Sequence, residues 1–222
     1  TVTGSISASN SSIEILAGQG GSGEGDITLY ADEISGVGGS IKTLSEGGEL
    51  RLVAGTAGGN ISLGDGSSMI TESLILEAAG GAITQSAGAE PGDEDTPPSA
   101  GVLIAASSLD AQAGAGIMLE NTTVETINAV VSGPGGIEIH NTGYLPQGEE
   151  EEPLRPSTVT LSDIETADGP ITVETISDTL IITGVRSLTD SDENDINITA
   201  MAAGSDGVTV EMHALSLAGA GD

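Results

Sequence analysis

"GELRLVAG" at residues 48–55 is followed at once by "TAGGNISLGDG" at 56–66, so that two alternating apolar–polar stretches are separated by small residues. A near copy, "SLILEAAGGAITQSAG" at 73–88, repeats the leading apolar positions about two dozen positions later. Strict alternation has the two-residue period of a β-strand with one buried face. The stretch therefore predicts short strands that recur along the chain, joined by small turns.

The spacing of these strands indicates a coiled repeat. The interval from Ile61 to Ile83 is close to the interval from Ile117 to Ile137. The intervals from Ile83 to Ile117 and from Ile137 to Ile171 are longer and equal to each other, and each contains a stretch rich in Pro and acidic residues. Without those stretches the period returns to about 20–25 residues, which in a chain of strands and turns is typical of a β-solenoid.

The sequence therefore predicts an all-β chain: one parallel β-solenoid segment over 1–222, with about 20–25 residues per coil. Acidic loop insertions are expected near 87–101, 142–157 and 187–195. The rival architecture is a β-sandwich, which needs about 100 residues per unit and longer hairpin-linked strands. We expect the segment to belong to a longer chain, because both termini read as ordinary coil sequence.

Composition favours the solenoid and excludes several functions. The 222 residues include no Phe, Trp or Cys, two Tyr and 34 Gly, so the core must be built from aliphatic side chains. The sequence contains 34 acidic residues and four basic ones, which gives a net charge of −30. This charge argues against nucleic acid and anionic membrane surfaces. No apolar run approaches transmembrane length, so membrane insertion is not expected.

Three phrases carry a family resemblance: "LILEAAGGAITQSAGA" at 74–89, "AGAGIMLENTTVETINA" at 113–129 and "GGIEIHNTG" at 135–143. They resemble the repeat regions of giant bacterial surface proteins of the filamentous-haemagglutinin-like class, and the likeness covers roughly 20–216. The resemblance implies a right-handed parallel β-helix, secretion across the outer membrane, and an extracellular or cell-surface location. It also implies a role as an adhesin stalk or surface fibre.

One loop is a candidate calcium site. Asp190, Asp192 and Asn194 form a D-x-D-x-N array in "DSDEND", and alternate oxygen ligands in a loop suit Ca²⁺. The array lacks the glycine and the distal glutamate of an EF-hand. The alternative is a solvated turn.

Other motifs point to turns or to isolated residues. Gly18, Gly20 and Gly23 match G-x-G-x-x-G, but the following "DITLYA" has a strand period where a dinucleotide site needs a helix. The two histidines, His140 and His213, are far apart in the sequence and no Cys accompanies them. The sequence therefore does not favour a zinc site.

These features predict a structural rod or fibre segment of a secreted bacterial surface protein, and not an enzyme. The expected partners are further coils of the same chain or end-to-end copies, together with cell-surface glycans or proteins. The alternative is a β-helix carbohydrate-active enzyme or polysaccharide-binding module. A glycosidase would need paired carboxylates, and Asp26 with Glu49 or Asp163 with Glu165 are the pairs to consider.

Overall fold

A computed structural model describes residues 5–8, 13–17, 27–29, 40–43, 48–55, 57–64, 68–85, 103–142, 155–189, 194–202 and 207–213. These residues form strands, turns and loops without any helix, so no helix among them has the length and apolarity to cross a membrane. The strands in chain order are β1 (Ser5–Ala8), β2 (Ile13–Leu16), β3 (Ile27–Leu29), β4 (Ser40–Thr43), β5 (Glu49–Val53), β6 (Ile61–Leu63), β7 (Ser68–Ala78), β8 (Ala82–Gln85), β9 (Leu103–Ala113), β10 (Gly116–Leu119), β11 (Thr122–Pro134), β12 (Ile137–Asn141), β13 (Thr158–Asp168), β14 (Ile171–Ile176), β15 (Thr179–Ile182), β16 (Val185–Ser187), β17 (Ile196–Met201) and β18 (Thr209–Met212).

The strands form two sheets in which the described neighbours pair in parallel. The smaller sheet has the order β17-β14-β12-β10-β8-β6-β3. The larger sheet follows β1-β4-β7-β9-β11-β13-β15-β18, with β2 and β5 pairing beside β7 and β16 pairing beside β13. The chain therefore alternates between the sheets and returns one strand further along each time. This confirms the prediction of stacked, parallel, all-β architecture.

An isoleucine column runs through the smaller sheet and agrees with the spacing seen in the sequence. Six register pairs join seven isoleucines, one from each strand, and all but the last are essentially buried. Stacking identical branched side chains at about 4.8 Å spacing fills the interior without aromatic residues. The column consists of Ile27, Ile61, Ile83, Ile117, Ile137, Ile171 and Ile196.

The opening repeat is also a register pair. Leu50 and Leu52 in β5 lie beside Leu74 and Leu76 in β7, and all four side chains are fully buried. The offset between the two copies is therefore a step from one coil to its neighbour. The copies stack because each presents the same apolar face at the same height.

Four strands are longer than the sequence indicated. β7, β9, β11 and β13 have 11 to 13 residues. β7 pairs with β4 through its first residues and with β5 through its last ones, so it joins two of the short strands. Thr71 supports the junction, because its Oγ1 donates a hydrogen bond to the carbonyl oxygen of Gly48 at 2.8 Å. Thr71 thus lies between the part of β7 that pairs with β4 and the part that pairs with β5, and the chain continues through it as a strand.

Buried amides close the corners between the sheets. Asn141 is fully buried, and its Nδ2 donates to the carbonyl oxygen of Val124 at 2.9 Å. Its Oδ1 accepts from the Val124 N–H at 2.8 Å and from Thr122 Oγ1 at 2.9 Å. Gln85 pairs in the same way with the backbone N–H and carbonyl of Asn121. Each amide thus forms the pair of hydrogen bonds that a neighbouring strand would otherwise form. It does so where the chain turns and the backbone N–H and carbonyl would lack partners.

The corner at Gly135 admits no side chain. Gly135 has a φ of 149°, and a Cβ there would overlap the carbonyl oxygen of Ala115 in the coil below. Gly116 has a similar φ of 145°, but the nearest atom to its Cβ position is 3.4 Å away. The close approach of neighbouring coils, in addition to the backbone angle, therefore requires glycine at Gly135.

Val210 departs from the predicted burial. It alternates with Val208 in "GVTV" at 207–210, so the strand period predicts burial, but it is 48% exposed in β18. β18 lies at the end of the larger sheet as described and pairs only with β15 within it. The alternation predicts which face points inward, and burial additionally needs a neighbouring coil.

Candidate functional site

The densest group of metal-ligating side chains in the described residues lies on the outer face of the smaller sheet. It contains one histidine and three glutamates from three neighbouring coils. Glu138 and His140 alternate with one residue between them on β12, so they point to the same side of the strand. Glu174 on β14 is the register partner of His140, and Glu120 follows β10 at the corresponding level. We call these four residues the His140 cluster.

Both imidazole nitrogens face carboxylates. His140 Nε2 is 3.2 Å from Glu138 Oε1 and 3.9 Å from Glu120 Oε2. His140 Nδ1 is 3.0 Å from Glu174 Oε2. The side chains of His140, Glu120 and Glu174 are between 22% and 32% exposed, whereas Glu138 is 49% exposed. The cluster is therefore partly shielded and open to solvent on the Glu138 side.

The carboxylates shift the protonation of the imidazole. Partial burial lowers the pKa of His140, but the Glu138 hydrogen bond and the negative charges of Glu120, Glu174 and Glu138 outweigh that effect. The pKa therefore lies above its ordinary value of 6.5. In this position the protonated imidazole offsets part of the repulsion between three stacked carboxylates.

Sequence reasoning missed the cluster, although the signal was present. Glu120 and His140 are as far apart in the sequence as Ile117 and Ile137 are. His140 and Glu174 are likewise as far apart as Ile137 and Ile171. Applying the repeat offsets to polar positions as well as apolar ones would have aligned the three residues on one outer column. If His140 is considered only together with His213, as a possible zinc site, the column stays hidden, because His213 follows a strand of the larger sheet.

The predicted calcium loop falls mostly outside the described residues. Asp190 and Asp192 are not described, so their part in the site stays a prediction. Asn194 is described, and its Nδ2 donates to Asp168 Oδ1 at 3.1 Å and to Thr189 Oγ1 at 2.9 Å. The hydrogen bonds that Asp168 accepts from Asn194 and from Thr189 lower the pKa of its exposed carboxyl.

The two carboxylate pairs considered for catalysis differ in how they are placed. Asp26 lies outside the described residues, so its pairing with Glu49 is untested. Asp163 and Glu165 both contact the guanidinium of Arg186, with Asp163 Oδ1 3.1 Å from Nη2 and Glu165 bonded to Nε. Arg186 therefore bridges the second pair.

A shallow groove of about 320 Å³ adjoins the His140 cluster on the same face. Thr84, Met118, Glu138 and Thr172 are among its lining residues, which are otherwise small or aliphatic. None of the described lining residues is aromatic or basic. The groove thus lacks the stacking platforms and the cationic groups that would hold neutral or acidic sugars.

The C-terminal end of the described stack presents an apolar surface. A cavity of about 460 Å³ opens there between the two sheets. Met212 is 67% exposed and Val210 is 48% exposed, although both continue buried columns. The cavity is lined by Leu180, Ile182, Val185, Ile196, Ile198, Ala200, Val210 and Met212.

Comparisons with models of known protein families, with curated proteins and with solved structures found no match. Function is therefore inferred from the stacked architecture and the apolar end of the described stack.

Proposed function

We propose that the chain is a structural rod segment of a large secreted bacterial surface protein, built as a right-handed parallel β-helix. Coils of the same kind, from a longer chain or a second copy, stack on its apolar end. The observation that carries the proposal is the parallel pairing of the described strands from coil to coil, whose apolar columns continue to β18 and remain exposed there. The surface location follows from the family resemblance.

The same column of the larger sheet reaches both ends of the described stack. One column of the larger sheet begins at Ile13 in β2 and ends at Met212 in β18. A second copy placed head to tail would set the Ile13 side of one chain on the Met212 side of the other. Such a contact is heterologous and generates an open filament. The column consists of Ile13, Leu50, Leu74, Leu109, Ile127, Leu161, Ile182 and Met212.

Charge sets the conditions for this contact. Each copy carries a net charge of −30, so association at low ionic strength works against strong repulsion. Salt at about 0.5 M shortens the Debye length to a few ångströms and leaves the apolar contact at the end.

Sedimentation velocity over a range of protein and NaCl concentrations tests the proposal. We expect concentration-dependent growth of elongated species at high salt, and Met212→Asp should abolish that growth. Met118→Asp is the matched control, because Met118 is also exposed but lies on the side of the stack. A chain that remains monomeric throughout, with Met212→Asp behaving as wild type, would contradict the proposal.

The carbohydrate-enzyme alternative has its own test. The chain is incubated with a panel of polysaccharides, and the release of reducing ends is measured. We expect no turnover. Turnover that is lost in Asp163→Asn or Glu165→Gln, with the fold retained, would replace the structural function by a catalytic one.

A further inference from the structure

We propose that Glu120, Glu138 and His140 form a binding site for a first-row divalent transition-metal ion, with Zn²⁺ as the representative ligand. The site would join neighbouring coils of the solenoid. It is independent of whether copies of the chain associate end to end.

The donor atoms are close enough to converge on one ion. His140 Nε2, one carboxylate oxygen of Glu120 and one of Glu138 all lie within 4.8 Å of one another. Around a tetrahedral zinc with bonds of about 2.0–2.2 Å, neighbouring donors are separated by about 3.3–3.6 Å. The observed separations of 3.2 and 3.9 Å from Nε2 lie close to that spacing. Small rotations of two partly exposed glutamates would complete the geometry.

The other side of the imidazole supplies an independent observation. Metal-bound histidines commonly donate their second ring N–H to a carboxylate, which fixes the ring and its tautomer. Here Glu174 Oε2 is 3.0 Å from Nδ1, on the side opposite the three donor atoms. With Nδ1–H directed at Glu174, loss of the Nε2 proton leaves a lone pair that can bind an ion placed between Glu120 and Glu138. A group of surface carboxylates alone lacks a histidine that is held on one ring nitrogen and faces further donors with the other.

The donor set favours transition metals over calcium and magnesium. One imidazole nitrogen with two carboxylates suits Zn²⁺ and similar ions, whereas Ca²⁺ and Mg²⁺ prefer oxygen donors alone. Three protein donors leave one tetrahedral position for water, on the side where Glu138 is most exposed. Glu120 comes from one coil and the other two donors from the next, and Glu174 holds the imidazole from the third coil.

The chain contains a matched control for this site. Glu211 and His213 repeat the Glu-x-His spacing of Glu138 and His140, with Nε2 3.3 Å from Glu211 Oε2. Among the described residues, that pair belongs to no cluster of three potential metal-ligating groups. It therefore measures what an isolated Glu–His pair on the same acidic surface contributes to metal binding.

Isothermal titration of the full chain with ZnCl₂ tests the proposal, in buffer with several millimolar Mg²⁺ to occupy diffuse acidic sites. We expect one saturable site, lost in His140→Gln and in Glu120→Gln and unchanged in the double variant Glu211→Gln/His213→Gln. Glu174→Gln should weaken binding by about 10- to 100-fold, the usual effect of removing a carboxylate behind a metal-bound histidine.

A second readout identifies the geometry. Co²⁺ bound at the site should show the intense visible absorption of a four-coordinate ion, and Zn²⁺ should displace it. Circular dichroism checks that each variant keeps its strand content. Zn²⁺ binding that persists in folded His140→Gln, disappears equally in the Glu211/His213 variant, or is displaced by millimolar Ca²⁺ would overturn the proposal.

Discussion

Single side chains perform two separate tasks in this solenoid, because apolar residues fill the columns and buried amides close the corners. Asn141 satisfies both backbone groups of Val124 with one side chain. Replacing it with Ala leaves a buried N–H, a carbonyl and the Thr122 hydroxyl without this partner. An unsatisfied buried polar group costs about 1–3 kcal/mol.

We therefore expect Asn141→Ala to lower the free energy of unfolding by about 2–4 kcal/mol. Asn197→Ala, at an exposed position of β17, should change it by less than about 0.5 kcal/mol. Urea denaturation followed by circular dichroism measures both. Equal losses in the two variants would show that the amide at the corner has no special role.

His140 should make the stability of the metal-free chain depend on pH. Its pKa is raised in the folded state, so the protonated imidazole stabilises the fold. That contribution is complete below the unfolded pKa of about 6.5 and is lost as the pH rises through the folded pKa. The groups that face it are Glu120, Glu138 and Glu174.

The measurement compares wild type with His140→Gln in the presence of a chelator. The difference in unfolding free energy should be larger at about pH 5.5 than at about pH 9. A difference that stays constant, or that grows toward alkaline pH, would contradict the assigned direction.

Inward-facing and outward-facing apolar residues give a direct comparison. Leu52 in β5 is fully buried, whereas Leu188 directly follows the inward-facing Ser187 of β16 and is 54% exposed. Leu52→Asp places an unpaired carboxylate in an apolar column and should reduce stability by more than about 3 kcal/mol. Leu188→Asp makes the same chemical change in contact with water and should cost less than about 1 kcal/mol. Thermal melts of the two variants would test the inward-facing register.

Glycine at the corner gives a second comparison between neighbouring strands. Gly135→Ala and Gly116→Ala both place Ala in an unfavourable backbone conformation, which costs about 1–3 kcal/mol. Only the Gly135 variant also forces a methyl group against the coil below. Its melting temperature should therefore fall further than that of Gly116→Ala. A smaller fall would indicate that adjacent coils are more widely spaced at this corner.

The strand pairing was predictable from the sequence because a parallel register repeats one simple pattern. The offsets read from isoleucine and leucine spacing all correspond to register pairs. The long strands were not predicted, since the junction within β7 includes a hydrogen bond from Thr71 to a carbonyl that is distant in the sequence. The contact of Asn141 with Val124 was missed for the same reason, because the two residues are distant in the sequence. Local patterns contain little information about such pairings.

The chain as a whole carries far more negative charge than positive charge, which should make its stability depend on salt. Arg51 bridges Glu14 and Glu77 from the coils on either side, at 2.6 and 2.7 Å. Four basic residues cannot offset 34 acidic ones. Sodium chloride should therefore raise the melting temperature smoothly, by screening, up to about 0.5 M. A melting temperature that falls on adding salt would mean that the attractive pairs outweigh the net repulsion.

Engineered cysteine pairs test the stacking of coils most directly, because the natural sequence contains no cysteine. Thr84 and Met118 are register partners in adjacent strands, and Ser62 is the partner of Thr84 one coil further away. Adjacent parallel strands lie about 4.8 Å apart, within the range that a disulfide bridges, whereas two coils span roughly 9.6 Å. We expect Thr84→Cys/Met118→Cys to form an intramolecular disulfide rapidly under mild oxidation, and Ser62→Cys/Met118→Cys to remain reduced. Efficient cross-linking of the second pair, or none in the first, would contradict the parallel stacking of coils.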